Sequence, residues 1–337
     1  MICRSLRGIR SRGVVFEVVE TNSTTTGKKI RSFASSSPSS ETGREEILQR
    51  RENGVLAITL NRPRKRNALN RSMLLELESI LKDLRISSEN ITSPSPPSSS
   101  TNDSVVRAVV IQANGPAFCS GHDLVELQQM TSNQHEDLFR LCSRVMAMWQ
   151  KIPQPTIAAV HGVASAAGCQ LAAATDLTIC TEDAKFITPG VNIGFFCSTP
   201  AVPLLRCLPR KVAMDMLLTG RILTAQEALQ FGLVSRMYAQ DKEKSKEYTT
   251  FEEDEGGRRM IHKQANQLAV QIASKSSATV SLGKLALDRQ QASLDQSIDA
   301  AYQIATDAMI ENLNYRDAQH GIGCFLNAKE EPVWEHK

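Results

Sequence analysis

Residues Ala158–Asp176, AAVHGVASAAGCQLAAATD, restrict what this chain can fold into more than any other stretch. An apolar run of β-strand character leads into a cluster of small residues, Gly162 to Gly168, and the cluster opens a short apolar helix. Gly, Ala and Ser at such a junction let strand, turn and helix pack at close range. They also let backbone N–H groups at a helix N-terminus face an oxygen on which negative charge develops. From these residues alone both readings, tight packing and an oxyanion site, stay open.

The rest of the chain supplies the frame. Its 337 residues suit one large domain with flanking tails, and 41% hydrophobic with 22% charged residues is ordinary for a globular protein. GVLAITLNRP (Gly54–Pro63), VVRAVVIQA (Val105–Ala113), PTIAAVHGVA, DLTICTED and AKFITPG predict five strands. Helical spacing recurs at Met73, Leu74, Leu77, Ile80, Leu81 and Leu84, after the turn in GPAFCSGHDLVELQQM, around Asp137–Gln150, and over Leu204–Thr219. Thr224 and Glu227 form a capping box for a further helix, which Gly232 is placed to end. From about Arg258 the pattern is helical throughout. The expected architecture is an α/β core over 45–238 followed by a helical region over 258–337. A Ser/Pro-rich insertion at Ile86–Ser104 and a charged linker at Ala239–Gly257 are both expected to be exposed.

Charge narrows the location and the partners. Residues 1–40 hold seven Lys and Arg against Glu17 and Glu20, a local excess of positive charge greater than the whole chain's +3, so the remainder is slightly acidic. The body therefore offers no electrostatic case for nucleic acid. The same segment is Ser- and Arg-rich and acid-poor, the composition of an organellar transit peptide, with RSFASS (Arg31–Ser36) resembling a processing site. A mitochondrial destination, in the matrix, is the first expectation and a plastid the second. The terminal Glu335-His336-Lys337 is not a peroxisomal signal, and no apolar run reaches the roughly 18 residues of a membrane span. The eight cysteines include no C-x-x-C pair, so no metal site is expected and the thiols read as reduced, buried hydrophobes. No G-x-G-x-x-G or G-x-x-x-x-G-K-[ST] loop is present.

LNRPRKRNALN (Leu60–Asn70), AFCSGHDL (Ala117–Leu124), the Ala158–Asp176 segment and AKFITPGVNIGFF occur in the order and approximate spacing of the crotonase superfamily, which the chain resembles from about Glu45 to Trp334. The resemblance implies a spiral of repeated ββα units and a C-terminal helical region that assembles a homotrimer, often paired into a hexamer. It implies a coenzyme A thioester as ligand or substrate, with no covalent cofactor and a place in fatty-acid metabolism. It places the thioester carbonyl between the backbone N–H groups of Ser120 and Ala167. Coenzyme A would meet Arg66, Asn67, Ala68, Phe118 and Ser120, with Arg64, Lys65 and Lys329 as candidate phosphate contacts.

The catalytic pattern departs from the family at two positions. Hydratases of this kind use two glutamates, which fall here on Gln170 and Gly190. An amide cannot take up a proton near neutral pH, and glycine has no side chain. Since placed proton-transfer groups typically contribute ~10²–10⁴ in rate, efficient hydration is not expected. Among nearby residues, His122 reads as a satisfied packing histidine, Asp123 as a helix cap and Glu126 as a solvated helical carboxylate. Cys197 and Ser198 are placed to line an acyl pocket, while Cys169 and Asp176 read as structural. Three readings stay open: an acyl-CoA lyase or isomerase-like enzyme with altered proton chemistry, a non-catalytic acyl-CoA-binding or regulatory trimer, and a slow enoyl-CoA hydratase.

Overall fold

The computed structural model describes residues 45–91, 105–239, 255–292, 297–328 and 332–336. The transit-peptide region, most of the Ser/Pro insertion, most of the charged linker and Lys329 lie outside the described residues. Six strands form the larger sheet, in the order β1 (Ile47–Glu52), β2 (Val55–Leu60), β3 (Ala108–Ala113), β4 (Thr156–Val160), β6 (Leu177–Thr181), β9 (Arg236–Tyr238). Only β1–β2 is antiparallel; every later pair is parallel, so each step needs a crossover. Helix α1 (Arg71–Ile91) makes the first crossover, and α2 (Leu124–Gln129) with α3 (Ser132–Lys151) makes the second.

The crossovers also build a second layer. β5 (Val163–Ser165), β7 (Lys185–Ile187) and β8 (Ile222–Thr224) form a three-stranded sheet, with single bridges Cys119↔Ala164 and Leu69↔His122 adding to the same layer. Each turn of the chain thus lays one strand in the large sheet, one short segment in the small layer, and then a helix. This is the ββα spiral that the family resemblance implies.

Alternation along the buried strands sorts side chains to two cores. Leu56, Ile58, Leu60, Val109 and Ile111 face α1 and α3, whereas Val55, Ala108, Val110, Ile157 and Ala159 face α8 (Glu255–Ala273). Ala265 and Ala269 on α8 are fully buried, and their small size lets the helix sit close to the sheet. Strands covered on both faces read as continuous apolar runs, which is why they were visible in the sequence.

Several elements differ from expectation. β1 is an added edge strand, joined to β2 by Asn53-Gly54 with both residues at positive φ, the favoured hairpin geometry. The 204–219 region is two helices, α5 (Ser198–Cys207) and α6 (Arg210–Thr219), because Pro209 disfavours helical backbone at Leu208. Helix α1 runs on to Ile91, six residues into the expected insertion, because ISSENI contains no Pro or Gly to stop it. The linker's last three residues, from Glu255, already belong to α8. The capping box at Thr224 and Glu227 and the left-handed Gly232 bracket α7 (Ala225–Phe231) as expected. The helical region continues through α9 (Ser277–Ala292), α10 (Ile298–Leu313) and α11 (Arg316–Gly323).

Candidate active site

Three close approaches at glycines and one strained residue set the geometry of helix α4 (Ala167–Ala174). A Cβ on Gly168 would lie 2.3 Å from the Cys119 carbonyl oxygen, and one on Gly162 would lie 2.3 Å from that of Pro116. At Gly121 (φ +99°) a Cβ would meet Ala166 Cβ at 3.0 Å, Ser165 O at 3.1 Å and Ala167 N at 3.6 Å. Ala166 turns the chain into the helix with φ 48° and ψ −114°, a conformation that costs a residue with a Cβ on the order of 1–3 kcal/mol. Tight packing is therefore real here. It also brings the Gly121 turn against the first turn of α4.

The hydrogen-bond register then determines which N–H groups remain open. In the bridge between Leu69 and His122, Leu69 N–H donates to Gly121 O (2.7 Å) and Asp123 N–H donates to Leu69 O (2.9 Å). Residue 122 sits between those two bonds, so its own N–H points away from Leu69, toward the side where Gly121 meets Ala166 and Ala167. Among the described residues, the N–H of His122 has no backbone acceptor. Ala167 is the first residue of its helix, and its N–H likewise has none. The N–H of Ser120 is different: it donates to Arg66 O at 3.0 Å. Ser120 was the expected donor, and the structure has its N–H already occupied.

The loop before α1 is held from within. Arg66 and Asn67 both adopt positive φ (49° and 54°), a conformation asparagine tolerates better than most residues. Asn67 is fully buried. Its Nδ2 donates to Asn114 O (2.7 Å) and Ala117 O (2.8 Å), while its Oδ1 accepts from Arg62 N–H (2.8 Å). Fully buried and bound through both its nitrogen and its oxygen, this side chain holds the loop and is not presented to a ligand. Phe118 is also fully buried in the main core, so its side chain is structural; Ala68 is 8% exposed. Arg64, Lys65 and Arg66 are exposed along this loop.

Asp123 caps α2, as expected, accepting from the N–H groups of Val125 and Glu126. It also pairs with Arg62 at 3.0 Å, and Arg62 reaches Glu46 at 2.9 Å. Burial pushes the Asp123 carboxyl up, but the Arg62 guanidinium and the two N–H donors outweigh it and hold it below the usual carboxylate range. Glu126 is not merely solvated: its carboxylate accepts from the Arg71 N–H at the start of α1 (3.0 Å). Asp176 is structural, bound to Thr156 N–H (2.7 Å), Thr156 Oγ1 (2.8 Å) and Lys284 Nζ (2.8 Å).

The two positions where acids are missing differ from each other. Gln170 lies one turn into α4, 3% exposed, and its Oε1 is buried without a partner. Gly190 lies in the turn Pro189–Ile193, where a Cβ would fall 1.9 Å from the Phe195 carbonyl oxygen and 2.9 Å from Cys197 Sγ. Phe195 N–H donates to Gly190 O at 2.9 Å and fastens this arrangement. The glycine is not an open gap, because another stretch of backbone occupies the place a side chain would take. Cys197 is buried, and burial pushes its thiol up, as it does for Cys169 and for Cys119, the last to about 12. Protonated thiols are poor nucleophiles. All seven cysteines of the described residues are free.

His122 departs from expectation. Both ring nitrogens are buried and neither has a hydrogen-bond partner. The ring stands edge-on to Phe139 at 5.2 Å, and Phe139 lies 5.8 Å from Phe195. Burial alone pushes the imidazole down to about 4, so it is neutral at pH 7. Leu124, Val125, Ile193, Phe195 and Phe196, on the segments bordering the site, are all exposed. Among the described residues no cluster of His, Cys, Asp or Glu is arranged to hold a metal ion.

A family model described as enoyl-CoA hydratase/isomerase matches residues 98–337. The chain belongs to the enoyl-CoA hydratase/isomerase family. Within this crotonase group it is 41% identical over 294 residues to the enoyl-CoA hydratase domain-containing protein 3, mitochondrial, of Danio rerio, covering 86% of this chain and 87% of that one. The human protein of the same name is 40% identical over 290 residues, covering 86% and 83%. The crystal structure of that human protein aligns with TM-score 0.70 at 38% identity, over 86% of this chain and 100% of the other. An enoyl-CoA hydratase structure from Mycobacterium smegmatis gives TM-score 0.72 at 36% identity, over 86% and 99%.

Proposed function

We propose that this crotonase-family chain binds acyl-CoA thioesters and holds the thioester carbonyl oxygen between the N–H groups of His122 and Ala167. The observation that carries this is the pair of open backbone donors at the contact of the Gly121 turn with α4. The donor assigned to Ser120 from sequence moves two residues on, because Ser120 N–H is bonded to Arg66 O. Each donor of such a hole is worth about 2.7–4 kcal/mol to a transition state that places charge on the oxygen. The exposed apolar residues after Asp123 and Gly190 support an acyl chain lying against them.

Two-carboxylate hydration is not the reaction we assign. The site has an amide at Gln170 and closed backbone at Gly190, so a water split across a double bond finds no carboxylate at either place. The choice between an enzyme of altered proton chemistry and a non-catalytic acyl-CoA-binding protein turns on whether another group moves protons. Self-association, as a trimer or paired trimers, is supported by α10: it has no buried residue, and Ile298, Tyr302, Met309 and Ile310 are each more than half exposed. Among the described residues no helix is long and apolar enough to cross a membrane. The relatives' names, with the basic, Ser-rich first 40 residues, support import into mitochondria and a matrix role in acyl-CoA metabolism; a plastid is the second choice.

Calorimetry on the full chain with butyryl-CoA and with its thioether analogue, which lacks the carbonyl, tests the central claim. The thioester is expected to bind at least about tenfold tighter, the equivalent of about 1.4 kcal/mol. Equal affinities would count against the hole, and no binding of either would remove acyl-CoA recognition altogether.

A further inference from the structure

We propose that the imidazole of His122 is a catalytic residue of this site, carrying a proton from and to the carbon α to the thioester carbonyl. This rests on the reading that the thioester is held by the N–H groups of His122 and Ala167. Three observations support it. Buried polar atoms in native proteins almost always find a partner, and one with none needs an account such as a catalytic role or an absent ligand. Both nitrogens of His122 are in that condition. The ring belongs to an apolar group, His122–Phe139–Phe195, whose last member places its carbonyl oxygen at Gly190, so the imidazole is connected by packing to the position that lacks its acid. The third observation is local: ring and open N–H belong to one residue. A carbonyl oxygen about 2.9 Å from that N–H puts its α-carbon, two bonds away, within range of the same side chain.

The step balances without any further reactant. The lone pair of the neutral imidazole takes the α-proton, and the C–H electron pair forms the carbon–carbon double bond of an enolate. The carbonyl π pair moves onto the oxygen facing the two N–H groups. The imidazolium then returns a proton to carbon, and the thioester is regenerated. Gln170 takes no proton in this sequence; its buried, unpartnered Oε1 can only accept a hydrogen bond.

Deuterium exchange tests the assignment. The full chain is incubated with butyryl-CoA in D₂O, exchange at the α-carbon is followed by mass spectrometry, and butyryl-CoA affinity is measured by calorimetry on the same samples. The wild type is expected to incorporate deuterium, and His122→Gln to do so at least ~10²-fold more slowly with affinity kept within about threefold. Thermal unfolding reports whether that variant folds; His122→Ala, smaller than the native residue, serves if it does not, and free imidazole in the buffer is expected to restore part of its exchange. Wild-type exchange rates in a folded His122→Gln or His122→Ala overturn the proposal. So does a wild type that binds butyryl-CoA and exchanges nothing. A wild type that fails to bind is a separate result, seen in the calorimetry, and removes the underlying reading together with the proposal.

Discussion

The turn where Gly121 meets α4 and the turn around Gly190 are joined by the packed rings of His122, Phe139 and Phe195 but use glycine in opposite ways. At the first, glycine lets two backbone segments approach while leaving the N–H groups of His122 and Ala167 open. At the second, glycine lets the Phe195 carbonyl fill the space a side chain would take. Polarisation built from backbone survives changes of side chain, provided that the turn keeps its shape. Proton transfer built from a carboxylate ends when that side chain is replaced, and the space can then close.

Substitutions should separate these two uses. Gly168→Ala is expected to do the most damage, because its Cβ would fall 2.3 Å from the Cys119 carbonyl oxygen with backbone on both sides. A loss of roughly 3 kcal/mol or more, read as a drop in thermal midpoint, should accompany loss of butyryl-CoA binding. A stable, binding-competent Gly168→Ala would mean that the close approach does not shape the site. Next in size is Gly190→Glu, alone or with Gln170→Glu. Its side chain has no room against Phe195 O, so about 2–3 kcal/mol of stability should be lost and crotonyl-CoA hydration should not rise by more than about tenfold. A large gain in hydration would show that the closed backbone opens easily and that only the acids were wanting.

Asp123→Asn addresses the first turn from its other side, removing the charge that pairs with Arg62 while keeping a capping side chain. A loss of about 2 kcal/mol at pH 7 is expected in urea unfolding. Because the folded carboxyl is held below its ordinary range, the stability it contributes is full above the unfolded value near 3.9 and is lost as pH falls through the folded one. The wild-type advantage over the variant should therefore shrink in acid. The smallest effect concerns the buried histidines. Burial pushes His122 down to about 4, and burial with the neighbouring His161 and Arg258 pushes His262 down to about 3. Unfolded chains take up these protons near pH 6.5, so stability is complete above that value and falls as pH drops toward 4 at His122 and 3 at His262. Each should remove roughly 1 kcal/mol by pH 5.5, and His262→Leu should flatten the slope of thermal midpoint against pH.

Much of the frame was legible because its causes are local. Continuous apolar runs gave β2, β3 and β4, Thr224 and Glu227 gave a helix start, and Asp123 gave another. β1 was not read, since ILQRRE is mostly polar and lies at a sheet edge; the Asn53-Gly54 hairpin signal beside it could have found it. The family resemblance puts a donor at Ser120, whereas the open N–H is that of His122, because a one-residue bridge to Leu69 fixes the register and that long-range contact has no local signal. The Phe195 carbonyl at Gly190 left no sequence signal, since backbone filling a vacancy has no residue type of its own. His122 was read as satisfied because sequence does not reveal whether a buried nitrogen finds a partner.

The two single-residue bridges also carry a meaning in time. Cys119 N–H is fastened to Val163 O, Ser165 N–H to Cys119 O and Ser120 N–H to Arg66 O, so their exchange with solvent waits on local opening of the layer. The N–H groups of His122 and Ala167, only two residues beyond Ser120 and Ser165, have no backbone bond among the described residues that must break first. Two unbonded amides set among bonded ones should serve as a clock for the proposed site: an occupant at the carbonyl position is expected to slow those two and leave their neighbours exchanging as before.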